Sequence, residues 1–204
     1  MIPAGPTYVL HSEPVMPIIE DKKKRKEIIG LLTQAYWMEM ETVMNYISNS
    51  VNLDGVRAEE IKKSLAADIT AEIAHAQQFA KRIKTLSGVA PGSYDFKPSQ
   101  KSLQPPSDLR DVAHVIRGVI DAEQGAINHY TKLAKACDGV DFVTQDMVVT
   151  ILGDEQEHLR EFEGFLKVYE EGRDDRVRTL DKGKADVADD DDDDGRRLPP
   201  LKEG

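Results

Sequence analysis

The sequence contains a single cysteine and few aromatic residues. Cys137 is the only thiol in a chain of 204 residues, and aromatic residues make up 6%. An internal disulfide and any cysteine-rich zinc or rubredoxin-type iron site are therefore excluded. A lone cysteine fits a reducing compartment, so we expect a cytoplasmic protein. The scarcity of aromatic residues and of long β-branched runs favours α-helices over a β-sandwich.

Long apolar segments and a net positive charge are also missing. No run is long and apolar enough to span a membrane. Residues 1–20 contain four prolines instead of the apolar core of a secretory signal, and we expect them to form an extended arm. The formal net charge of −10 argues against broad nucleic-acid affinity, and we interpret the basic run at residues 22–26 as a solvated helix face.

Apolar residues recur at helical spacing in four segments, which predicts four helices. We expect these helices at about residues 22–53, 58–86, 107–137 and 142–171, the last ended by Gly172. Asp21 is predicted to cap the first helix, and Ser107 or Asp108 the third. Between the second and third helices, residues 88–107 contain four prolines. Twenty extended residues reach roughly 65 Å, enough to cross a helical bundle roughly 45 Å long.

The predicted domain organisation follows from these segments. Residues 1–20 form the arm, residues 21–172 a four-helix bundle, and residues 173–204 an acidic disordered tail. The tail contains six consecutive aspartates at 189–194, followed by a short basic and proline-containing peptide. We interpret it as a solvated tail, or alternatively as a segment whose end docks on a protein partner.

The two halves of the chain repeat one pattern of polar residues. In each half, a glutamate is followed seven residues later by a tyrosine, then by Asp-Gly-Val, then by Glu-x-x-His. The matched residues, offset by 83 or 84, are Glu39 and Glu123, Tyr46 and Tyr130, Glu72 and Glu155, and His75 and His158. Two such hairpins joined by a long crossover predict an all-α, antiparallel four-helix bundle with an approximate two-fold axis.

The Glu-x-x-His spacing directs both side chains to one face of a helix. Glu155 and His158 are three residues apart and share their face with apolar residues, so we expect them to point inward. Four inward carboxylates and two neutral imidazoles balance the charge of two divalent cations. Oxygen and imidazole ligands without thiolate favour iron or manganese. Two such metal ions lie roughly 3.5–4 Å apart, close enough to engage one dioxygen or peroxide molecule.

We therefore predict a paired metal site with bridging and terminal ligands. The predicted bridges are Glu72 and Glu155, with Glu39 and His75 on one ion and Glu123 and His158 on the other. Tyr46 and Tyr130 are predicted to lie near enough to hydrogen-bond a ligand or to donate an electron. Glu41 competes with Glu39 as the ligand of the first helix, but it faces away from the inward stripe.

The segment from Asp146 to His158 resembles the part of bacterioferritins that carries one Glu-x-x-His motif. The spacing of Glu39 and Tyr46 is similar to that of the first-helix ligand and its neighbouring tyrosine in the ferritin family. The resemblance covers about residues 22–171. It implies a ferritin-like di-iron protein with ferroxidase activity, in which Fe(II) is oxidised by dioxygen or peroxide. The resemblance also implies storage of the iron as mineral inside a hollow homo-oligomeric shell.

Two features depart from the bacterioferritin pattern. Ile73 stands where bacterioferritins carry a haem-ligating methionine, so we predict no haem by that route. Asp154 precedes the fourth-helix glutamate and is expected to partner a ligand histidine, whereas Ala71 occupies the matching place in the second helix. The two metal positions are therefore expected to differ.

Other functions remain open on the sequence alone. One is a di-iron or di-manganese oxidase or peroxidase similar to rubrerythrin or manganese catalase, although rubredoxin-type cysteines are absent. Others are a variant of the DNA-protecting mini-ferritins and a metal-free scaffold or nucleoid-binding protein. The remaining polar candidates are interpreted as solvated or structural: Asp68, Glu157, Glu163, His11, His114 and His129.

Overall fold

The computed structural model describes residues 18–187 of the chain, and their side chains through residue 171. Its four helices are α1 (Lys22–Asn52), α2 (Glu59–Thr85), α3 (Val112–Cys137) and α4 (Phe142–Val187). Two short 3-10 turns, Val56–Ala58 and Ser93–Asp95, complete the secondary structure of the described residues. The predicted all-α class with four helices is confirmed. Within the described part, none of the helices has both the length and the apolarity that a membrane span requires.

Side-chain contacts show that the helices pair in antiparallel fashion. On one side, the His129 ring of α3 bonds the Leu31 carbonyl of α1 at 2.9 Å, and Tyr46 bonds Glu123 at 2.6 Å. The residue numbers thus run in opposite directions along the pair. The contacts of α2 with α4 show the same reversal, from Ser64 with Glu161 to Arg82 with Thr144. The matched Asp-Gly-Val segments turn the chain at Gly55 (φ +100°) and Gly139 (φ +65°), a conformation that glycine adopts without strain.

The predicted start of α1 is confirmed, whereas that of α3 is wrong. The Asp21 carboxylate accepts hydrogen bonds from the Lys23 and Lys24 amides at 2.8 and 3.1 Å. At α3, the capping residue is Asp111, whose carboxylate accepts from the His114 amide at 3.1 Å. The predicted cap Asp108 is instead paired with the backbone and guanidinium of Arg110. This local pairing holds the chain in a turn and delays the helix until Val112.

The last helix extends beyond its predicted end. Gly172 does not end α4, which continues to Val187. A glycine inside a helix costs only about 1 kcal/mol relative to alanine, and the following residues include good helix formers and no proline. The chain separates into two compact units between Glu163 and Gly164, and every residue predicted as a metal ligand lies in the first. Residues 1–17 of the predicted arm and the aspartate run at 189–194 lie outside the described residues.

The crossover between α2 and α3 is extended, as predicted, and is fixed to the bundle. Leu103 is fully buried, and its carbonyl accepts a hydrogen bond from Asn49 of α1 at 2.9 Å. On α3, a Cβ atom added at Gly118 would lie 2.5 Å from the Ser102 carbonyl oxygen. Only glycine lets the crossover lie this close to the helix.

Glu41 anchors the same crossover. This glutamate is only 3% exposed. It accepts hydrogen bonds from the amide and hydroxyl of Ser99 and from the amide of Gln100, all at 2.8–2.9 Å. The residue that competed with Glu39 as a ligand therefore binds backbone groups of the crossover. It is not a member of either group of candidate metal ligands among the described residues.

The apolar core fills the bundle around the N-terminal half of α1. Phe79 of α2 packs against Tyr130 of α3 with ring centroids 5.3 Å apart. The buried members of this core on all four helices include Ile28, Leu32, Ala35, Phe79, Ile83, Tyr130, Leu133, Val148 and Ile151. The core continues directly into the polar residues of the bundle interior, because Tyr130 belongs to both.

Candidate metal centre

The six residues predicted as metal ligands lie together inside the bundle. Their potential ligand atoms form two groups, and within each group all atoms lie within 4.8 Å of one another. The first group contains Glu39, Glu72, His75 and Glu155, and the second contains Glu72, Glu123, Glu155 and His158. Glu72 and Glu155 are thus shared by both groups, which is the arrangement expected of bridging ligands.

Each helix contributes to this site through the spacing of its residues. Helices α1 and α3 provide one glutamate each, and α2 and α4 provide one Glu-x-x-His pair each. A separation of three residues places both members of a pair on adjacent turns of one face. The repeat of the two hairpins therefore gives the site its approximate symmetry.

Both histidines direct the Nδ1 atom toward the carboxylates. His75 Nδ1 lies 3.2 Å from Glu155 and 3.9 Å from both Glu39 and Glu72. His158 Nδ1 lies 3.4 Å from Glu72 and Glu155, and 4.0 Å from Glu123. The Nε2 atoms are therefore left for contacts outside the cluster.

The two tyrosines link the hairpins by crossed hydrogen bonds. The hydroxyl of Tyr46 on α1 donates to Glu123 on α3 at 2.6 Å, and the hydroxyl of Tyr130 on α3 donates to Glu39 on α1. Both rings are fully buried. Burial and the neighbouring carboxylates raise the pKa of both phenols well above its usual value, so they remain protonated donors. The structure thus places each tyrosine against one of the two glutamates that were predicted as terminal ligands.

The histidines of the metal-free cluster are held in the charged form. Burial lowers the pKa of His75, but the carboxylates of Glu155 and Glu72 outweigh burial and raise this pKa to about 10. Contact with the same two carboxylates raises the pKa of His158 to about 11. Both imidazole rings are therefore protonated on both nitrogens near neutral pH when no metal is bound.

The four glutamates divide into two pairs with opposite pKa shifts. Burial raises the pKa of Glu39 and Glu123 well above the usual range. Burial acts in the same direction on Glu72 and Glu155, but other contacts outweigh it and hold both pKa values below the usual range. For Glu72 these contacts are with Glu39 and both histidines, and for Glu155 with both histidines and Glu123. Without metal, two protonated histidines thus face two ionised shared glutamates.

Buried polar atoms without a partner show that the residues fit a cation pair. Eight buried side-chain nitrogen or oxygen atoms in the described part of the chain lack a hydrogen bond. Five of them belong to the cluster: Glu72 Oε1, His75 Nδ1, both carboxylate oxygens of Glu155, and His158 Nδ1. Unsatisfied buried polar atoms are rare in folded proteins. Here they converge from two shared glutamates and two histidines, and divalent cations would satisfy all five.

Two aspartates lie next to the cluster. Asp154 was predicted to partner a ligand histidine, and its Oδ2 lies 3.2 Å from His75 Nε2. Asp68 was predicted to be a surface acid, which is wrong, because its Oδ2 is buried without a partner. Burial raises the pKa of Asp68 to about 6. Its position four residues before Glu72 on the same helix face is the sequence signal that pointed to this burial.

The remaining polar candidates lie outside the site. Glu157 and Glu163 are exposed, as predicted. His129 donates to the Leu31 carbonyl at 2.9 Å, and His114 lies 3.1 Å from the Gln104 carbonyl. Both contacts fit the prediction that these histidines are structural or solvated. His11 lies outside the described residues.

Comparisons with known proteins place the chain among related folds. A family model described as the Ferritin-like domain matches residues 29–171. A bacterioferritin of Desulfovibrio desulfuricans is 27% identical over 145 residues, which are 71% of this chain and 75% of the relative. The crystal structure of a D. desulfuricans bacterioferritin with its diiron site superposes with a TM-score of 0.64 at 23% identity, covering 78% of this chain and 88% of that one. A dodecameric thioferritin from Bacteroides fragilis gives a TM-score of 0.64 at 23% identity, covering 74% of this chain and 90% of that chain.

Proposed function

We propose that this chain, which belongs to the ferritin-like domain family, is a ferroxidase that oxidises Fe(II) with dioxygen or peroxide and serves iron storage or detoxification. The observation that supports this proposal is the duplicated cluster of four buried glutamates and two histidines. Its charge and ligand atoms suit two iron ions per subunit, and manganese has similar ligand preferences. Ile73 offers no ligand atom for haem, and the proposal includes none.

Each ligand has a defined part in this proposal. Glu72 and Glu155 bridge the two ions, Glu39 and His75 bind one, and Glu123 and His158 bind the other. Oxidation of two Fe(II) ions releases two electrons, which with two protons reduce dioxygen to hydrogen peroxide, or reduce hydrogen peroxide to two water molecules. The ionised carboxylates favour the product, because they stabilise Fe(III) more strongly than Fe(II).

The tyrosines hold the terminal ligands during this reaction. By donating to Glu123 and Glu39, Tyr46 and Tyr130 leave the second oxygen of each carboxylate for a metal ion. Both phenols lie one hydrogen bond from a proposed ligand, so they are also candidates to donate a further electron. The fully buried rings additionally keep water from this side of the cluster.

An aerobic Fe(II) titration tests the proposed site. We expect the wild-type protein to oxidise Fe(II) faster than the same buffer, and Glu72→Ala to lose this acceleration because both ions lose a shared ligand. Glu157→Ala is the matched control, since Glu157 is an exposed glutamate next to the second Glu-x-x-His histidine, and it should behave as wild type. Equal rates for the wild type and Glu72→Ala would overturn the proposal.

An exposed apolar stripe supports assembly into a homo-oligomer. On α1, Met44 and Ile47 are each 48% exposed and Val51 is 72% exposed. Together with Trp37 and Met40 they recur every three or four residues along one side of the helix. A contiguous apolar stripe on a surface helix is typical of a protein interface. We extend the proposal to a hollow shell of identical subunits, located in the cytoplasm.

The mass of the assembly tests this extension. We expect light scattering to give a particle of many subunits for the wild type, and Ile47→Asp to dissociate it. Val149→Asp places the same charge at another exposed apolar position, 54% exposed on α4, and should leave the mass unchanged. A wild-type dimer as the largest species would instead favour a redox enzyme acting on peroxide or an organic substrate.

A further inference from the structure

The two halves of the metal centre differ in one contact. His75 Nε2 lies 3.2 Å from Asp154 Oδ2, on a helix of the other hairpin. In the repeat, the position that matches Asp154 is Ala71, at the same offset of 83 residues that relates the two histidines. Among residues 18–171, no side chain or backbone group hydrogen-bonds His158 Nε2. The approximate symmetry of the ligands is therefore broken just outside them.

This contact affects how strongly each histidine can bind a metal ion. A cation at Nδ1 requires the neutral imidazole tautomer whose proton is on Nε2. Donation of that proton to a carboxylate fixes the tautomer and the ring orientation, and it makes Nδ1 a stronger ligand. Asp154 does this for His75, whose side chain is 6% exposed. His158 has no such acceptor among the described residues, and its side chain is 16% exposed.

Apart from the predicted metal ligands, Asp68 is a carboxylate that interacts electrostatically with His158. Its position on α2, one turn before Glu72, puts it on the His158 side of the cluster. However, its Oδ2 is buried without any hydrogen-bond partner, so it does not hold the His158 ring as Asp154 holds that of His75. The second position therefore lacks the support that the first one has.

We propose that Asp154 is a positioning residue that makes the metal position of Glu39 and His75 the tighter of the two, so that cations fill the centre in a fixed order. This inference rests on the proposed function, in that it requires two cations in the cluster. It adds that the order of cation binding is set by one hydrogen bond, which the half of the centre around His158 lacks. The paired centre is then complete only at metal concentrations that fill the weaker position of Glu123 and His158.

Anaerobic titration with Co(II), followed by calorimetry and visible absorption, tests the order. We expect the wild-type protein to bind two Co(II) ions per subunit with two separate affinities. Asp154→Ala should weaken the tighter class by roughly 10- to 100-fold and leave the other unchanged. Asp146→Ala is the control, because it removes another exposed aspartate from the same helix. Ala71→Asp should tighten the weaker class, since it restores the missing acceptor.

Ligand variants identify which position is which. Glu39→Ala should remove the tighter class and Glu123→Ala the weaker one. Equal wild-type affinities, or an Asp154→Ala variant that weakens both classes alike, would overturn the inference while leaving the paired centre intact. Loss of the weaker class in Asp68→Asn would also overturn it, because Asp68 would then support His158. A wild-type protein that binds fewer than two Co(II) ions would overturn the proposed function itself.

Discussion

Loading the centre with metal should release protons, because both histidines of the metal-free cluster are charged. The pKa values of His75 and His158 are raised to about 10 and about 11, so both rings are charged at neutral pH. Burial also raises the pKa of Glu39 and Glu123 well above the usual range, so these carboxyls keep their protons to a higher pH than free ones. The metal-free cluster thus contains at least the two extra histidine protons, which are absent when the same side chains bind cations.

The number of protons released on binding follows from these charges. Two divalent cations bring four positive charges, which match four ionised carboxylates beside two neutral imidazoles. Binding both should therefore release at least about two protons per chain near neutral pH, one from each histidine, or about one per cation. The apparent binding constant should consequently rise by at least about one order of magnitude per cation for each unit of pH. Cations should therefore bind more tightly at higher pH.

Anaerobic Co(II) binding in a weakly buffered solution measures the release directly with a pH-stat. Calorimetry in two buffers of different ionisation enthalpy gives an independent count of protons. Glu123→Gln removes a carboxyl whose pKa is raised by burial and should release fewer protons than the wild type, while Glu163→Gln changes an exposed glutamate and should match the wild type. Release of fewer than one proton per cation by the wild-type protein would refute the assignment of an extra proton to each histidine of the metal-free cluster.

Three further predictions concern stability. Gly118→Ala should lower the free energy of unfolding by roughly 1–3 kcal/mol, because its Cβ would meet the crossover at 2.5 Å. Gly125→Ala on the same helix has open space around its Cβ and should raise the free energy of unfolding by up to about 1 kcal/mol. Urea unfolding compares the two variants, and equal effects would contradict the close approach at Gly118. Glu41→Gln should lower the free energy of unfolding by roughly 1–3 kcal/mol, because it turns a side-chain amide group toward the crossover amides. The folded variant should still oxidise Fe(II), and loss of this activity would contradict the structural role of Glu41. In chelator, the folded state binds extra protons on His75 and His158, so the unfolding free energy should fall as pH rises from about 6.5 to about 10; a flat profile would contradict the raised pKa values.

The candidate site could be predicted from the sequence because the residue spacing that defines it lies within single helices and occurs twice. Spacing within one helix fixes the common direction of Glu72 and His75, and a second copy at the same offset makes a chance match improbable. The repeated Asp-Gly-Val turns likewise predicted where each hairpin reverses. These are contacts between neighbours along a helix, which periodicity describes well.

What the sequence could not reveal depends on contacts between distant segments. Glu41 is buried because its partners are crossover amides 58 and 59 residues away, which no helical pattern encodes. Asp154 was predicted to partner a histidine, but packing decides that this is His75 of the other hairpin. The limits of α3 and α4 were misjudged because an Asp–Arg pair delays one helix and a single glycine does not stop the other.

Anomalous diffraction at the cobalt edge, from crystals grown or soaked with Co(II) under anaerobic conditions, would show whether the six side chains hold a cation pair. We expect two peaks per chain inside the bundle, roughly 3.5–4 Å apart. One peak should contact Glu39 and His75 and the other Glu123 and His158, with Glu72 and Glu155 reaching both. Peaks confined to surface carboxylates, with none among these six side chains, would contradict the paired centre.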